Sequence, residues 1–265
     1  MPVFQPEDRD QLIHWLQTRE VKPFTIDSMP SSNIEANVLS MQKLNAIVKY
    51  EPNEMIVTVE AGITLQELDA VLRKSNQWLP TLQPLERRET TLGAALANGY
   101  AHPRERTHSP LRATVLGGLF ATMDGTLFKS GSRVVKSVAG YDIHRAFVGS
   151  KGAFGVIVEV NLKVAPLPER IIRFRIGTDH QERIIAFNPS VLIASKNECV
   201  VELAGYAEDI EVQLSELGKY TEIGEKDWIA LIHQQIYTNP PSLGEHPLLQ
   251  DLRKVFDPGQ VLSNG

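Results

Sequence analysis

SGSRVVKSVAGYDIHRAFVGSKGAFGVIVEVNLKVAPLP, residues 130–168, sets a dense group of glycines directly ahead of the clearest strand in the chain. From 156 to 164 the residues Val156, Val158, Val160, Leu162 and Val164 alternate with Glu159, Asn161 and Lys163, with Ile157 the apolar exception. A period of two with one apolar side is the pattern of a half-buried strand. Upstream, Gly149, Gly152 and Gly155 recur at three-residue spacing, so no Cβ blocks the approach of a backbone or a ligand, and positive φ costs little. Taken alone, the glycines fit either a tight loop feeding the strand or main chain laid open to a ligand.

Outward from this stretch, VLGGLFATMDGTLF at 115–128 is two apolar runs around Asp124-Gly125, a strong hairpin signal. Thr64-Leu65-Gln66-Glu67 matches a capping box and opens a helix with Leu65, Leu68, Val71 and Leu72 on one side. Thr90-Thr91-Leu92-Gly93-Ala94-Ala95-Leu96-Ala97-Asn98-Gly99 predicts a short helix with a threonine N-cap and a glycine stop. The first-turn N–H groups of such a helix lie under little side-chain bulk and suit a phosphate. Close packing of small residues on a sheet explains the same spelling. A helix to about Thr18, strands at 24–26, 38–41, 47–50 and 55–60, and a loop at 27–33 complete the first part. Beyond Pro168, strands are expected at 171–176, 191–194 and 199–203, with helices at 209–217, 228–235 and 247–255.

With 27 lysines and arginines against 32 acids, the net charge of −5 offers no basic field for nucleic acid or an anionic membrane. Cys199, the single cysteine, excludes an internal disulfide framework and any multi-cysteine metal or iron–sulfur site in this chain, and its apolar neighbours make it a core thiol. No apolar run reaches the roughly 20 residues of a membrane helix, and acids stand where a signal peptide has lysines; a soluble, cytoplasmic, unprocessed protein is expected. There is no Walker loop, no dinucleotide glycine fingerprint, no G-x-S-x-G and no H-E-x-x-H. His102 and His108, with Arg104 and Arg106, are expected in a solvated polar loop, and no metal site is expected. Lys136, Tyr141, Asp142, His144 and Arg145 form a surface ion-pair cluster by default, beside the glycine run where contacts to a ligand are first sought.

Four segments, VTVEAGITLQELDAVL at 57–72, TTLGAALANG at 90–99, HPRERTHSPLRATVLG at 102–117 and RVVKSVAGYDIHRAFVGSKGAFGVIVEVNLKVAPLP at 133–168, together with the tail FDPGQVLSNG, resemble the PCMH-type FAD-binding domain of the vanillyl-alcohol oxidase family, and within it the group of glycolate oxidase FAD-binding subunits. The resemblance implies an α+β fold: an FAD-binding domain of two α+β subdomains at 1–168, a truncated cap at 169–243 and a C-terminal segment at 244–265 returning to the first domain. It places the second pyrophosphate loop at Thr90, Thr91, Leu92, Gly93 and Ala94, and a later nucleotide contact at Gly149, Gly152, Gly155, Val156 and Ile157. The first pyrophosphate loop would be 27–33, where Ser28, Ser31 and Ser32 stand in place of the family's glycines and Pro30 removes one N–H donor. The activity implied is oxidation of a 2-hydroxy acid such as glycolate by hydride transfer to FAD, with electrons leaving through a second flavin subunit and an iron–sulfur subunit. No catalytic base is identified. The altered first loop and short cap also fit a scaffold subunit of such a complex that has lost or weakened FAD binding.

Overall fold

A computed structural model describes residues 3–18, 24–26, 37–82, 90–99, 102–133 and 142–238. In chain order the elements are β1 (Val3–Phe4), α1 (Arg9–Thr18), β2 (Phe24–Ile26), β3 (Asn37–Leu39), β4 (Ile47–Glu51), β5 (Ile56–Glu60), α2 (Leu65–Arg73), β6 (Gln77–Trp78), α3 (Leu92–Asn98), α4 (Leu111–Thr114), β7 (Val115–Ala121), β8 (Leu127–Gly131) and α5 (His144–Phe147). They continue with β9 (Val156–Lys163), β10 (Ala165–Pro166), β11 (Arg170–Gly177), α6 (Gln181–Ala186), β12 (Val191–Ala194), β13 (Glu198–Gly205), α7 (Ala207–Ser215), β14 (Thr221–Glu222) and α8 (Glu225–Thr238). The predicted helix at 247–255 and the loop at 27–33 lie outside the described residues.

β1, β3 and β2 make a small parallel sheet. The main sheet is antiparallel, in the order β4-β5-β9-β7-β8. Its local signals are legible in the sequence. Thr64 Oγ1 accepts from the Glu67 amide at 3.1 Å while Glu67 Oε2 accepts from the Thr64 amide at 3.0 Å, so the capping box closes at the head of α2. The β7–β8 turn has Gly125 at φ +83° and Asp124 Oδ1 accepting the Thr126 amide at 3.0 Å.

β9 differs from the half-buried strand expected. It lies in the middle of the sheet and is covered on both faces. Against β7, Leu119 pairs with Glu159 and Phe120 with Ile157, which leaves Val158 as an extra residue on β9. Such a bulge breaks the alternation of side chains. Val156 and Val158 therefore pack with Leu12 and Leu16 of α1, whereas Val160, Leu162 and Val164 join Ile157 in the larger core beneath α2 and α3. Gly155, at the entry to β9, has φ +136°, and a Cβ there would lie 2.2 Å from the Ala121 carbonyl oxygen.

A second antiparallel sheet, β12-β13-β11-β14, follows. Ile172, Phe174 and Ile176 of β11 face a core with Ile184 of α6 and Ile210 of α7, while Val191 and Val200 on the other face meet Trp228 and Ile232 of α8. The short pairing of β6 with β10 brings Trp78 to the exit of the first sheet system, next to the start of β11.

Gly155→Ala is expected to cost about 2–3 kcal/mol, because the backbone must abandon its left-handed conformation and clear a neighbouring carbonyl. Urea denaturation of the two proteins measures it; equal midpoints would show that the turn is not constrained in this way.

Candidate functional site

α3 and the glycine turn before β9 are the two places expected to meet a ligand, and the fold brings them together. Thr91 caps α3, its Oγ1 accepting the Ala94 amide at 3.3 Å and its carbonyl accepting the Ala95 amide at 3.0 Å. The segment leaving β5 runs alongside: the Leu92 amide donates to Ile63 O at 2.8 Å, the Gly93 amide to Ala61 O at 2.7 Å, and the Leu65 amide to Thr90 O at 3.0 Å. At the other end, Gly99 stops the helix in the left-handed conformation, the Gly149 amide donates to Leu96 O at 2.9 Å and the Lys151 amide to Ala97 O at 2.8 Å. A Cβ on Gly99 would lie 2.5 Å from Gly149 Cα. The Gly152 amide donates to Ser150 Oγ and the Gly155 amide to Gly152 O, both at 3.2 Å. Val156 and Ile157 are buried opposite Ala121 and Phe120.

The unpaired first-turn amides expected of α3 are therefore engaged within the chain, and so are those of the glycine turn. The glycines serve close approach of backbone to backbone. What faces outward on this side is the small surface of Gly93, Ala94, Ala97 and Asn98, partly exposed along α3. Thr90, at the head of that surface, is half-buried, whereas Ser150, near its other end, is buried with its Oγ accepting the Gly152 amide. Seven residues of helix separate the ends by about 10 Å. This surface fits an elongated polar group lying along α3 and held by contact and the Thr90 hydroxyl. Ser28, Ser31 and Ser32 lie outside the described residues.

A second cluster has no counterpart among the sequence motifs. The loop of His102 and His108, expected to be solvated, is instead inserted between the two sheet systems. Arg104 is 1% exposed and Glu202, on β13, 0%. Arg104 Nε donates to Glu202 Oε1 and Nη2 to Oε2, both at 2.6 Å, and Nη1 donates to Pro80 O at 3.1 Å. Its guanidinium carbon sits 4.7 Å over the Trp78 ring. From β11, Arg173 Nε donates to Glu202 Oε2 at 2.9 Å. A guanidinium and a carboxylate removed from water survive only as a well-formed pair with their remaining donors met, which this geometry provides.

His102 holds the turn that presents Arg104. Its Nδ1 accepts the Arg104 amide at 3.1 Å, which requires that nitrogen to carry no proton. Burial first, then the nearby charges of Arg104, His108 and Arg173, holds its pKa well below the usual histidine range. His108, edge-on to Trp78, is lowered by burial and by Arg104. His144, behind the glycine turn, is buried against Ser130, with Nδ1 3.2 Å from Ser130 Oγ, and burial lowers it too. Asp142 and Arg145 form the exposed ion pair expected of them, at 3.2 Å. Lys136 and Tyr141 lie outside the described residues. Cys199 is buried in β13, where burial raises its thiol pKa. One signal for the missed cluster is present: Glu202 stands alone as a carboxylate in the apolar run CVVELAG.

Comparison with known proteins gives this geometry its context. Residues 3–131 match the family model described as "FAD binding domain". The chain is 30% identical over 239 residues to glycolate oxidase subunit GlcE of Escherichia coli (strain K12), covering 86% of this chain and 68% of that one. It is 31% identical over 133 residues to glycolate oxidase subunit GlcD of Bacillus subtilis (strain 168), covering 50% of this chain but 28% of that one. The fold is shared with a solved alkyldihydroxyacetonephosphate synthase, at TM-score 0.66 and 15% identity, over 89% of this chain and 55% of that chain. The chain belongs to the PCMH-type FAD-binding family of flavoprotein oxidoreductases, and FAD is its cofactor. Within that family it is similar to glycolate oxidase subunits. Among the described residues no helix is long and apolar enough to cross a membrane.

Glu202→Gln is expected to destabilise the protein by about 3–5 kcal/mol, since it leaves the Arg104 guanidinium buried without its charge partner. Denaturant unfolding reads this, and a loss below about 1 kcal/mol would contradict it. The pH dependence has a definite sign. The unfolded chain protonates His102 at the ordinary histidine pKa while the folded chain resists, so its contribution is complete above that pKa and is lost as pH falls below it. His102→Asn keeps an acceptor for the Arg104 amide and is expected to flatten the fall in melting temperature from neutral pH towards pH ~5. An unchanged slope would show that His102 does not set it.

Proposed function

We propose that this chain is the FAD-binding subunit of a complex that oxidises a small 2-hydroxy acid of the glycolate type, passing electrons to partner subunits in the cytoplasm. The observation that carries the reading is the extent of the likeness to GlcE, which runs over 239 residues and so reaches past the FAD-binding domain into the second sheet. FAD, when bound, supplies the acceptor for the hydride leaving the α-carbon of the hydroxy acid. Residues 1–168 form the FAD-binding domain, 169–243 a shortened cap and 244–265 a returning segment. Thr90, Thr91, Leu92, Gly93 and Ala94, with Gly149, Gly152, Gly155, Val156 and Ile157, build the wall along which the cofactor lies. Of these, Thr90 offers a hydroxyl and Gly93 and Ala94 a low surface; the others shape the wall through their backbone packing. Ser28, Ser31 and Ser32 serve the pyrophosphate from the first loop. With one cysteine, the chain cannot itself hold an iron–sulfur relay, so a second flavin subunit and an iron–sulfur subunit carry the electrons onward.

A second reading, a scaffold subunit with weakened cofactor binding, is favoured by two observations: the glycine-free first loop and the engagement of every amide expected to hold phosphate from α3. Purified protein separates the two. A yellow protein that releases one equivalent of FAD on heating supports the first reading; a pale one that takes up added FAD only weakly but copurifies with a flavin subunit supports the second.

Ala94→Asp tests the placement along α3. Position 93 is unsuited, because a Cβ there meets Ala61 Cβ at 3.0 Å and would disturb packing. An acid at the partly exposed position 94 faces the ligand, and FAD affinity is expected to fall by at least about tenfold through charge repulsion. Unchanged affinity in a fluorescence titration would place the cofactor elsewhere.

A further inference from the structure

Arg173 meets Glu202 with only part of its guanidinium. Nε carries the hydrogen bond, the guanidinium carbon lies 5.1 Å over the Trp228 ring, and the side chain is 21% exposed. Its terminal Nη1 and Nη2 have no hydrogen-bond partner among the described residues. Arg104 and Arg173 share the single carboxylate of Glu202; His102 and His108 of the inserted loop are neutral at pH 7, and Arg106 of the same loop is exposed. The nearby acids are engaged: Glu198 is 2.6 Å from Arg175, and Glu105 accepts the Leu111 amide at 2.9 Å. Glu222 stands opposite Phe174 in the ladder and so belongs to the other face of the sheet. Among the described residues Glu202 is the one carboxylate that pairs with Arg173. A planar fork with two free, parallel donors over an indole is shaped for a planar anion rather than for a spherical one.

We propose that the Nη groups of Arg173, backed by Trp228 and the Arg104–Glu202 pair, bind a small carboxylate at the seam between the FAD-binding domain and the second sheet. The choice of a carboxylate rests on the hydroxy-acid reading above. Occupancy engages the two Nη groups of Arg173 at the seam, so the ligand stabilises the whole chain.

The test uses the full chain and measures melting temperature and tryptophan fluorescence against acetate, glycolate, the neutral analogue glycolamide, and chloride at matched ionic strength. Acetate and glycolate are expected to give saturable shifts, and glycolamide and chloride none. Arg173→Gln is expected to lose carboxylate affinity by at least about tenfold, whereas Arg175→Gln, two residues along the same strand, keeps it. Equal shifts with chloride or glycolamide, no shift with either carboxylate, or undiminished affinity in Arg173→Gln would each overturn the proposal. Should Arg173→Gln fail to fold, Arg173→Lys decides, since it retains the charge beside Glu202 and lacks the fork; wild-type affinity there overturns the site. Arg173-dependent acetate binding in a protein that does not oxidise glycolate would sink the enzymatic reading and leave the site standing.

Discussion

A carboxylate in the middle of an apolar strand and a guanidinium on a loop of a different sheet system make each other possible. Glu202 without Arg104 would keep only the single hydrogen bond from Arg173, and Arg104 without Glu202 would be a bare charge beneath Trp78. Their two parallel hydrogen bonds at 2.6 Å, with Pro80 taking a third donor, meet the desolvation cost of both groups at one place. Much of the surrounding arrangement answers to this pair. The turn at Pro103–Arg106 is capped by a histidine that must stay neutral, and β6 pairs with β10 so that Trp78 covers the guanidinium. The second sheet is thus held on the FAD-binding domain by a directional contact, which fixes its angle in a way that apolar packing alone does not.

The wall along α3 follows a different logic. Ala61 and Ile63 reach the first turn of the helix, Leu96 and Ala97 reach the glycine turn, and the glycines at 99 and 149 allow two backbones to touch. The hydrogen bonds that a phosphate would have sought are used to lock three chain segments together. The result is a closely bonded shelf with a low outer surface and the Thr90 hydroxyl at its head. On the reading proposed above, a cofactor along this shelf would be positioned by shape.

Local signals in the sequence are legible wherever cause and effect lie within a few residues. The capping box at Thr64 and Glu67, the Asp124-Gly125 turn and the stop at Gly99 are all of this kind. What the sequence hides depends on partners far along the chain. Arg104 and Glu202 are 98 residues apart, so a loop spelled HPRERTH looks solvated until the second sheet is folded against it. The amides of Leu92 and Gly93 look free until the segment after β5 is laid beside them. The extra residue at Val158 splits an apparently continuous apolar row, because a bulge is set by the neighbouring strand and leaves no mark in the alternation itself. α6 is hidden for a simpler reason: six residues are too few to show a helical period.

The Arg104–Glu202 pair holds the seam between the two sheet systems. A double-mutant cycle built from Arg104→Met, Glu202→Leu and the double variant, measured by denaturant unfolding at neutral pH, reads that directly. Each single variant should be strongly destabilised and the double variant should recover much of the loss, giving a coupling energy of at least about 2 kcal/mol. Additive losses, with a coupling near zero, would contradict it.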